Sequence, residues 1–496
     1  MDDPVDPDGV TIVFGWGPVW GWTIFVIELI LRILAIIIIP RNRRPQTAAA
    51  WLLAILFIPE LGWLFFLLFG SRRVNKQRRT RQDEVNAFLA TEIADSHYAS
   101  DPSTWPGWLP QVVHLNHQLG AMPLVGGNNF EFYPDYETSI KAMTQAVREA
   151  ESIIHAEFYI LSLDDTTKEF FDELAAARAR GVTVRVLWDH VANLRQPGYR
   201  KTKRFLEQHD IDAHLMLPLS IWPWAFLRPD LRNHRKLLVV DGRTAFTGSQ
   251  NLIDSSYNKR GNIKRGLHWK DLMVRFDGPI AGAIDSLFHA DWYAETGDFL
   301  DREIIVTEPR EGATASAQVV PSGPGFTGEN NLRLFNSAVY AAKRKLIITS
   351  PYFVPDDSML YAITTAAQSG VHVELFVSEI GDQAMVFHAQ RSYYEFLLEA
   401  GVQIWMYSAP TILHAKHLTV DDDVAIVGSS NMDMRSFSLN YEISVMVRSR
   451  EFVAGLREIE QSYREASREL TLEEWRGRPA LSAALDNVMR ITAALQ

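Results

Sequence analysis

The sequence predicts an α/β protein made of two pseudo-twofold-related halves, mixed sheets flanked by helices, with a hydrophobic helical anchor at its N-terminal end. Three observations carry that expectation: a strand, helix, glycine, strand unit that occurs twice, a polar motif repeated at constant spacing, and two apolar segments that both precede residue 71. The 496 residues are 47% hydrophobic and 22% charged, the balance of a folding chain rather than a disordered one. At roughly 100–200 residues per domain, that length suits two or three domains. The chain has no cysteine, which excludes disulfide frameworks, thiolate metal sites and cysteine nucleophiles. Its net charge of −11 is the wrong sign for a nucleic-acid partner.

The first element in order is the anchor, assigned to residues 1–82. Residues 10–39 are almost entirely apolar or aromatic, long enough to cross a bilayer, and Arg41, Arg43 and Arg44 follow. A second apolar run, 48–70, precedes Arg72, Arg73, Lys76, Arg78, Arg79 and Arg81. The N-terminal flank is acidic (Asp2, Asp3, Asp6, Asp8), whereas a cleaved signal peptide carries positive charge there. Glu28 and Arg32 stand four apart in the order that lets a helix pair them. The Pro59-Glu60-Leu61-Gly62 sequence in mid-run makes a straight second crossing costly, about 2.5–3.5 kcal/mol for a carboxylate at the bilayer centre. Positive clusters stay cytoplasmic. A two-span hairpin puts the clusters on opposite faces, so that one breaks this rule. A segment that enters and turns back at Pro59 to Gly62 instead puts both on the cytoplasmic side, with the acidic N-terminus outside. Either way the larger second cluster argues for a cytoplasmic body. Each basic side chain near an anionic surface adds about 1 kcal/mol of attraction.

Residues 83–130, with Pro102, Pro106, Pro110 and Gly126-Gly127, read as a connector. The first half, 131–310, shows a helical stretch, a strand at 153–160, a helix at 168–180, Gly181 and a strand at 182–187. The second half, 311–496, repeats the plan with a strand at 346–350, a helix at 359–369, Gly370 and a strand at 371–376. Such a unit is a crossover connection, with Gly181 and Gly370 as helix C-caps. Each half is then a helix-covered sheet, and the two pack as a pseudo-dimer with a cleft for chemistry. The charged, periodic stretch 451–474 reads as a solvated helix on the body.

The polar motif is His234, Lys236, Asp241, Gly248-Ser249 and Asn251 in the first half, and His414, Lys416, Asp421, Gly428-Ser429 and Asn431 in the second, each offset by 180 positions. A histidine and a lysine two apart on an extended strand share one face and converge on one anion. The aspartates have the other parity and fall at hairpin turns, Asp241-Gly242 and Asp421-Asp422, so within this six-residue catalytic motif they read as structural supports. Ser249, Asn251, Ser429 and Asn431 are the candidate phosphate-binding residues. Paired imidazoles, lysines and amides suit a phosphodiester: one imidazole attacks phosphorus, the other protonates the leaving oxygen, and neither a metal nor a cofactor is required. His209, His214, His268 and His388 lack that duplicated context and read as structural.

These paired H-x-K-x4-D motifs resemble the phospholipase D superfamily. Within it the chain is similar to the bacterial cardiolipin synthases, through the two apolar segments, Ser350-Pro351-Tyr352-Phe353-Val354-Pro355-Asp356, Arg391-Ser392-Tyr393-Tyr394, and the run from Asn431-Met432-Asp433-Met434-Arg435-Ser436 to Glu442. Ser249 stands where many relatives have a second glycine, and Lys270 where arginine is frequent. The resemblance implies an integral cell-membrane phosphatidyltransferase that works on a phospholipid bilayer. It takes a phosphatidyl group from one phosphatidylglycerol to another through a phosphatidyl-histidine, releasing glycerol. It further implies His234 as nucleophile, His414 as acid/base, and an orienting acid from the opposite half for each: Glu442 for His234 and Asp271 for His414. Water resolving the same intermediate gives the alternative, a membrane-bound phospholipase D or phosphodiesterase. A third possibility, an inactive lipid-binding scaffold, conflicts with intact motifs in both halves. The aromatic stretch 221–227, with Trp222 and Trp224, suits either the membrane interface or core packing.

Overall fold

The computed structural model describes residues 16–41, 43, 45–70, 78–81, 84–85, 104–120, 122–219, 227–300, 308–326 and 328–491. Asp2, Asp3, Asp6 and Asp8, the Arg44, Arg72, Arg73 and Lys76 members of the basic clusters, and residues 221–226 with Trp222 and Trp224 lie outside them. The chain divides into two compact units, Met1–Arg72 and Arg73–Gln496.

In the first unit, α1 (Trp16–Ile38), α2 (Pro45–Phe57) and α3 (Pro59–Phe69) follow the apolar segments. Glu28 and Arg32 form the expected ion pair at 2.9 Å, and the Arg32 Nε also donates to the Leu56 carbonyl. The second segment is broken at Ile58, the residue before Pro59, because proline disfavours the α conformation in the residue it follows. α2 and α3 fold back on each other closely enough that a Cβ on Gly62 would lie 2.8 Å from Ile55. Along α1, residues from Trp22 to Ile38 expose apolar side chains on most of the surface. Among the described residues no helix is long and apolar enough to cross a membrane.

The second unit is built on one sheet. Its first half supplies β1 (Leu124–Tyr133), β2 (Ile153–Phe158), β3 (Thr183–Asp189), β4 (Asp212–Met216), β5 (Lys236–Val240), β6 (Thr244–Gly248), β7 (His268–Lys270) and β8 (Met273–Asp277). The second half supplies β9 (Ala315–Ser322), β10 (Lys345–Thr349), β11 (Phe353–Val354), β12 (His372–Ser378), β13 (Gln403–Tyr407), β14 (Thr411–Leu413), β15 (His417–Val420), β16 (Val424–Gly428), β17 (Met432–Asp433), β18 (Glu442–Arg448) and β19 (Ser467–Leu470). Fifteen of these strands run in the order β19-β13-β12-β10-β15-β16-β18-β9-β1-β8-β6-β5-β2-β3-β4. The expectation of a separate sheet for each half is thus corrected: β9 pairs with β1 and makes the sheet continuous across the two repeats. The connector reading is corrected as well. It contains the helix Leu109–Gly120 and the start of β1, and Gly126-Gly127 mark a shift in strand register, with Gly127 at φ 73°, instead of a chain break.

Parallel β2–β3 and β10–β12 pairs carry the crossover helices Lys168–Ala179 and Asp357–Gln368, and Gly181 (φ 95°) and Gly370 (φ 93°) end those helices as predicted. The charged C-terminal stretch is a helix only through Arg450–Glu465, after which it turns into β19 against β13. One hydrophobic core spans the repeats: Phe452 of the second half packs on Phe130, Phe132 and Phe276 of the first, at ring separations of 4.7–6.1 Å. Pairs of this kind add about 0.5–1.5 kcal/mol each beyond the apolar area they bury. The core fixes one repeat against the other, and the site lies across that junction.

Candidate active site

His234 and Lys236 lie at the start of β5, and His414 and Lys416 just before β15. Both histidines are held by main chain from the opposite repeat. The His234 amide donates to the Tyr441 carbonyl (2.8 Å), and the His414 amide donates to the Lys270 carbonyl (2.7 Å). Around these bonds β14 runs parallel to β7, and Asn233 bridges in parallel to Tyr441. The backbone leading into each histidine is therefore paired with the backbone leading into an acid of the other half.

Those acids are the two that the resemblance implies. His234 Nδ1 lies 3.0 and 3.1 Å from the two carboxylate oxygens of Glu442, and His414 Nδ1 lies 2.7 Å from Asp271 Oδ1. A carboxylate can only accept, so Nδ1 carries the proton on both rings and Nε2 presents a lone pair. Burial pushes both imidazoles down to about 4. For His414, Lys416 adds to the effect and Asp271 opposes it; for His234, Glu442 opposes it and Lys236 adds to it. Burial resists ionisation of the acids, yet His414 holds Asp271, and His234 holds Glu442, below the usual carboxylate range.

Each lysine acts on both histidines, which brings all four motif groups into one electrostatic site. Burial lowers Lys236 to about 7 and Lys416 to about 8. Lys416 Nζ donates to His414 Nε2 (3.0 Å) and to the His414 carbonyl (2.7 Å); Lys236 Nζ donates to the His234 carbonyl. His234 and His414 are 8% and 4% exposed, enough for a small reacting group to touch them and too little for bulk water.

The Ser249 and Ser429 hydroxyls, assigned to phosphate from the sequence, donate instead to Asp271 (2.6 Å) and to Glu442. The glycine before each serine is needed because a Cβ there would stand 2.2 Å from the Leu272 or the Ile443 carbonyl. Asp241 and Asp421, the third members of the catalytic motif, make the support contacts expected of them. Each sits in a hairpin turn at the far end of the strand, at φ 51° and 49°, and its carboxylate accepts main-chain N–H bonds, from residues 151–153 and 343–345 respectively. Asn251 uses its amide on the Tyr257 hydroxyl (2.8 Å) and its carbonyl on the Ile160 amide, whereas the Asn431 Oδ1 is buried without a partner among the described residues. His388 pairs with Asp486 at 2.7 Å and His268 meets the Thr411 hydroxyl, structural contacts as predicted.

Sequence reasoning missed three groups. Tyr159 and Tyr352 stand edge-on to His234 and His414, with ring centroids 4.8 and 6.2 Å away. Each tyrosine follows the strand that pairs with its repeat's motif strand, Tyr159 directly after β2 and Tyr352 three residues after β10. Arg235, fully buried, pairs with Asp291 and donates to the Glu442 carbonyl (3.1 Å). Its signal was an arginine at a position whose parity turns it away from the motif face.

Comparison with known proteins agrees with this geometry. Residues 141–292 and 336–463 match the family described as cardiolipin synthase, PLD-like domain, and residues 30–71 match phospholipase D-nuclease N-terminal. The chain is 32% identical over 486 residues to cardiolipin synthase A of Pectobacterium carotovorum subsp. carotovorum, covering 94% of this chain and 95% of that one. It is 33% identical over 483 residues to cardiolipin synthase A of Serratia proteamaculans, at the same coverage. The crystal structure of phosphatidylserine synthase from Haemophilus influenzae superposes with a TM-score of 0.58 at 16% identity, covering 77% of this chain and 99% of that one, which shows a shared fold.

Proposed function

Because the chain belongs to the cardiolipin synthase, PLD-like domain family, we propose that it transfers a phosphatidyl group from one phosphatidylglycerol to a second, yielding cardiolipin and glycerol. The observation that carries this reading is the pair of buried histidines, each fixed by a carboxylate from the other repeat, with two lysines acting on both.

In the first step the lone pair on His234 Nε2 attacks phosphorus and the bond from phosphorus to the glycerol oxygen breaks. Glu442 stabilises the charge that develops on the ring, as the acid of a hydrolase triad does. Lys416 Nζ donates to the neutral ring at His414 Nε2. An arriving phosphodiester anion favours the charged form of its neighbours, so His414 takes up a proton from solvent as the lipid binds, Lys416 keeps its own charge for the phosphoryl oxygens, and His414 passes its proton to glycerol. In the second step the neutral His414 removes the proton from a headgroup hydroxyl of the second phosphatidylglycerol. That oxygen attacks phosphorus, the bond to His234 breaks, and the enzyme returns to its starting state. Lys236, Lys416 and the amide of Asn431 neutralise the phosphoryl oxygens throughout.

The anchor supports a membrane location for this chemistry. The apolar surface of α1 exceeds what a water-facing helix exposes, the fold-back at Ile58 suits a segment that enters and turns back, and the basic clusters favour a cytoplasmic body. Incubating purified full-length protein with vesicles of phosphatidylglycerol alone and identifying products by mass spectrometry tests the reading: cardiolipin and glycerol are expected in equal amounts. Phosphatidic acid as the main product would assign the site to hydrolysis instead.

A further inference from the structure

A surface helix ordinarily turns its apolar stripe to the core and its charges outward. The helix Ala480–Arg490 does the reverse. Its Asp486 is fully buried, held by His388 (2.7 Å) and Arg391 (3.2 Å) of the neighbouring helix Ala384–Arg391. Leu481, Leu485, Val488 and Ile491 follow the spacing of one stripe and are 83%, 40%, 54% and 81% exposed. The two helices run antiparallel, since Arg391 meets Ser482 and His388 meets Asp486. Met385, also exposed, therefore lies towards the Val488 and Ile491 end of the stripe. A helix docked through a buried acid, with its apolar side outward, is built to be covered by something apolar.

A second exposed element has the opposite chemistry. Lys259, Arg260, Lys264 and Arg265 surround the exposed Ile263 on and beside the helix Arg260–Arg265. No acid lies between residues 259 and 266, and none of the four cations forms an ion pair among the described residues. In a chain of net charge −11 this is a local patch of the other sign. Both elements border the site on the His414 side. Arg265 is six residues from Asp271, a reach of at most about 22 Å. Lys259 acts on the carboxyl of Asp382, which stands three residues before Met385 and accepts from the hydroxyl of Tyr352 (2.9 Å), the ring beside His414.

We propose that the stripe 481–491 and the cations 259–265 form a docking face by which the catalytic unit lies on an anionic bilayer. The apolar side chains enter the headgroup layer and the cations rest on lipid phosphates. The proposal rests on the phosphatidyl transfer described above and deepens it, since it states how a buried site in the body reaches a lipid that stays in its membrane. A second copy of the chain fits less well: the stripe measures about 17 Å by about 10 Å, far below the roughly 800 Å² per partner of a stable interface. A bilayer needs no such area once the same chain is anchored in it, because the second contact is then intramolecular.

The test uses the absence of cysteine from the chain. Single variants Leu485→Cys, Val488→Cys and Ile263→Cys of the full-length protein, with Glu207→Cys as the control, take an environment-sensitive dye at one place each. In phosphatidylglycerol vesicles, spin-labelled lipid is expected to quench the first three dyes and not the control, and the contrast should weaken in phosphatidylcholine. Leu485→Ser/Val488→Ser and Lys264→Gln/Arg265→Gln change exposed side chains only. Each pair should raise the KM for phosphatidylglycerol diluted into phosphatidylcholine vesicles about tenfold. Turnover of a short-chain, monomeric phosphatidylglycerol should stay within about twofold. Absence of quenching at 485 and 488, or equal losses on vesicles and monomers, would overturn the proposal. Disulfide-linked dimers of Leu485→Cys in place of quenching would make the stripe a contact between copies and overturn it too. If the wild-type protein turns over neither form of phosphatidylglycerol, the transfer reading itself fails, while the quenching pattern still decides the docking face.

Discussion

The two halves of the site share a plan and differ in how it is executed. On the His414 side an aspartate orients the ring, Lys416 reaches the imidazole Nε2 directly, and the residue between histidine and lysine is Ala415. On the His234 side a glutamate orients the ring, Lys236 donates to the histidine carbonyl and lies over the Tyr159 ring, and the intervening Arg235 is locked to Asp291 and to the backbone of Glu442. Duplication supplied two equivalent sets of catalytic parts, and the neighbours make them unequal. A histidine hydrogen-bonded to a protonated lysine is equipped to handle protons. One whose Nε2 is left open, with its acid anchored from behind, is equipped to attack.

The sharpest way to break that comparison is to remove each imidazole. His234→Ala and His414→Ala are both expected to lower cardiolipin synthesis by about 10³–10⁴-fold or more, the range for losing a nucleophile or an acid–base group. Only His234→Ala should abolish the acid-labile lipid adduct recovered when a reaction with labelled phosphatidylglycerol is quenched with denaturant at neutral pH. Adduct formation in His234→Ala and its absence in His414→Ala would reverse the assignment.

The next effect concerns stability. Arg235→Ala leaves Asp291 charged and unpaired in the core, which is expected to cost about 3–5 kcal/mol, read as a lower urea midpoint. Ala415 has no such partner, so Ala415→Gly should cost about 1 kcal/mol or less.

Titration separates the halves more finely. The free-enzyme profile of kcat/KM should fall on the alkaline side from about pH 7 to 8, where Lys236 and then Lys416 give up their protons. Lys416→Arg should make the fall less steep, because guanidinium keeps its proton there and leaves Lys236 alone to titrate. Stability has the opposite dependence. Lys416 is lowered in the folded chain, so the unfolded chain binds more protons between about pH 8 and its ordinary value of about 10.4, and stability rises through that window. By the same sign rule the histidines, lowered to about 4, make the fold lose stability as pH drops from about 6.5 towards 4. The smallest effect expected is that of the serines: Ser249→Ala and Ser429→Ala each remove one bond to an orienting acid, about 1–2 kcal/mol or a five- to thirtyfold loss in kcat, without changing the KM for lipid.

Much of this was legible in the residues. The 180-residue offset revealed the repeat and placed both histidines and lysines on one face, and the glycine caps located the crossovers. Asp271 and Glu442 were not derivable that way, since nothing in spacing links a histidine to an acid in the other repeat; family resemblance supplied them. The serines were misread because residue type states that a hydroxyl donates and not which acceptor stands nearest. In Ser249 that acceptor was the acid twenty-two residues on. The continuous sheet was hidden for a similar reason: pairing between β1 and β9 joins segments on either side of nearly the whole first half, and Gly126-Gly127 resembled a break.

The crossing of each acid to the other repeat's histidine binds the fates of the two gene copies. After an ordinary duplication one copy is free to drift, but here the ring of His234 is held by Glu442 of the other repeat and that of His414 by Asp271. Neither repeat can be inherited, excised or retired alone.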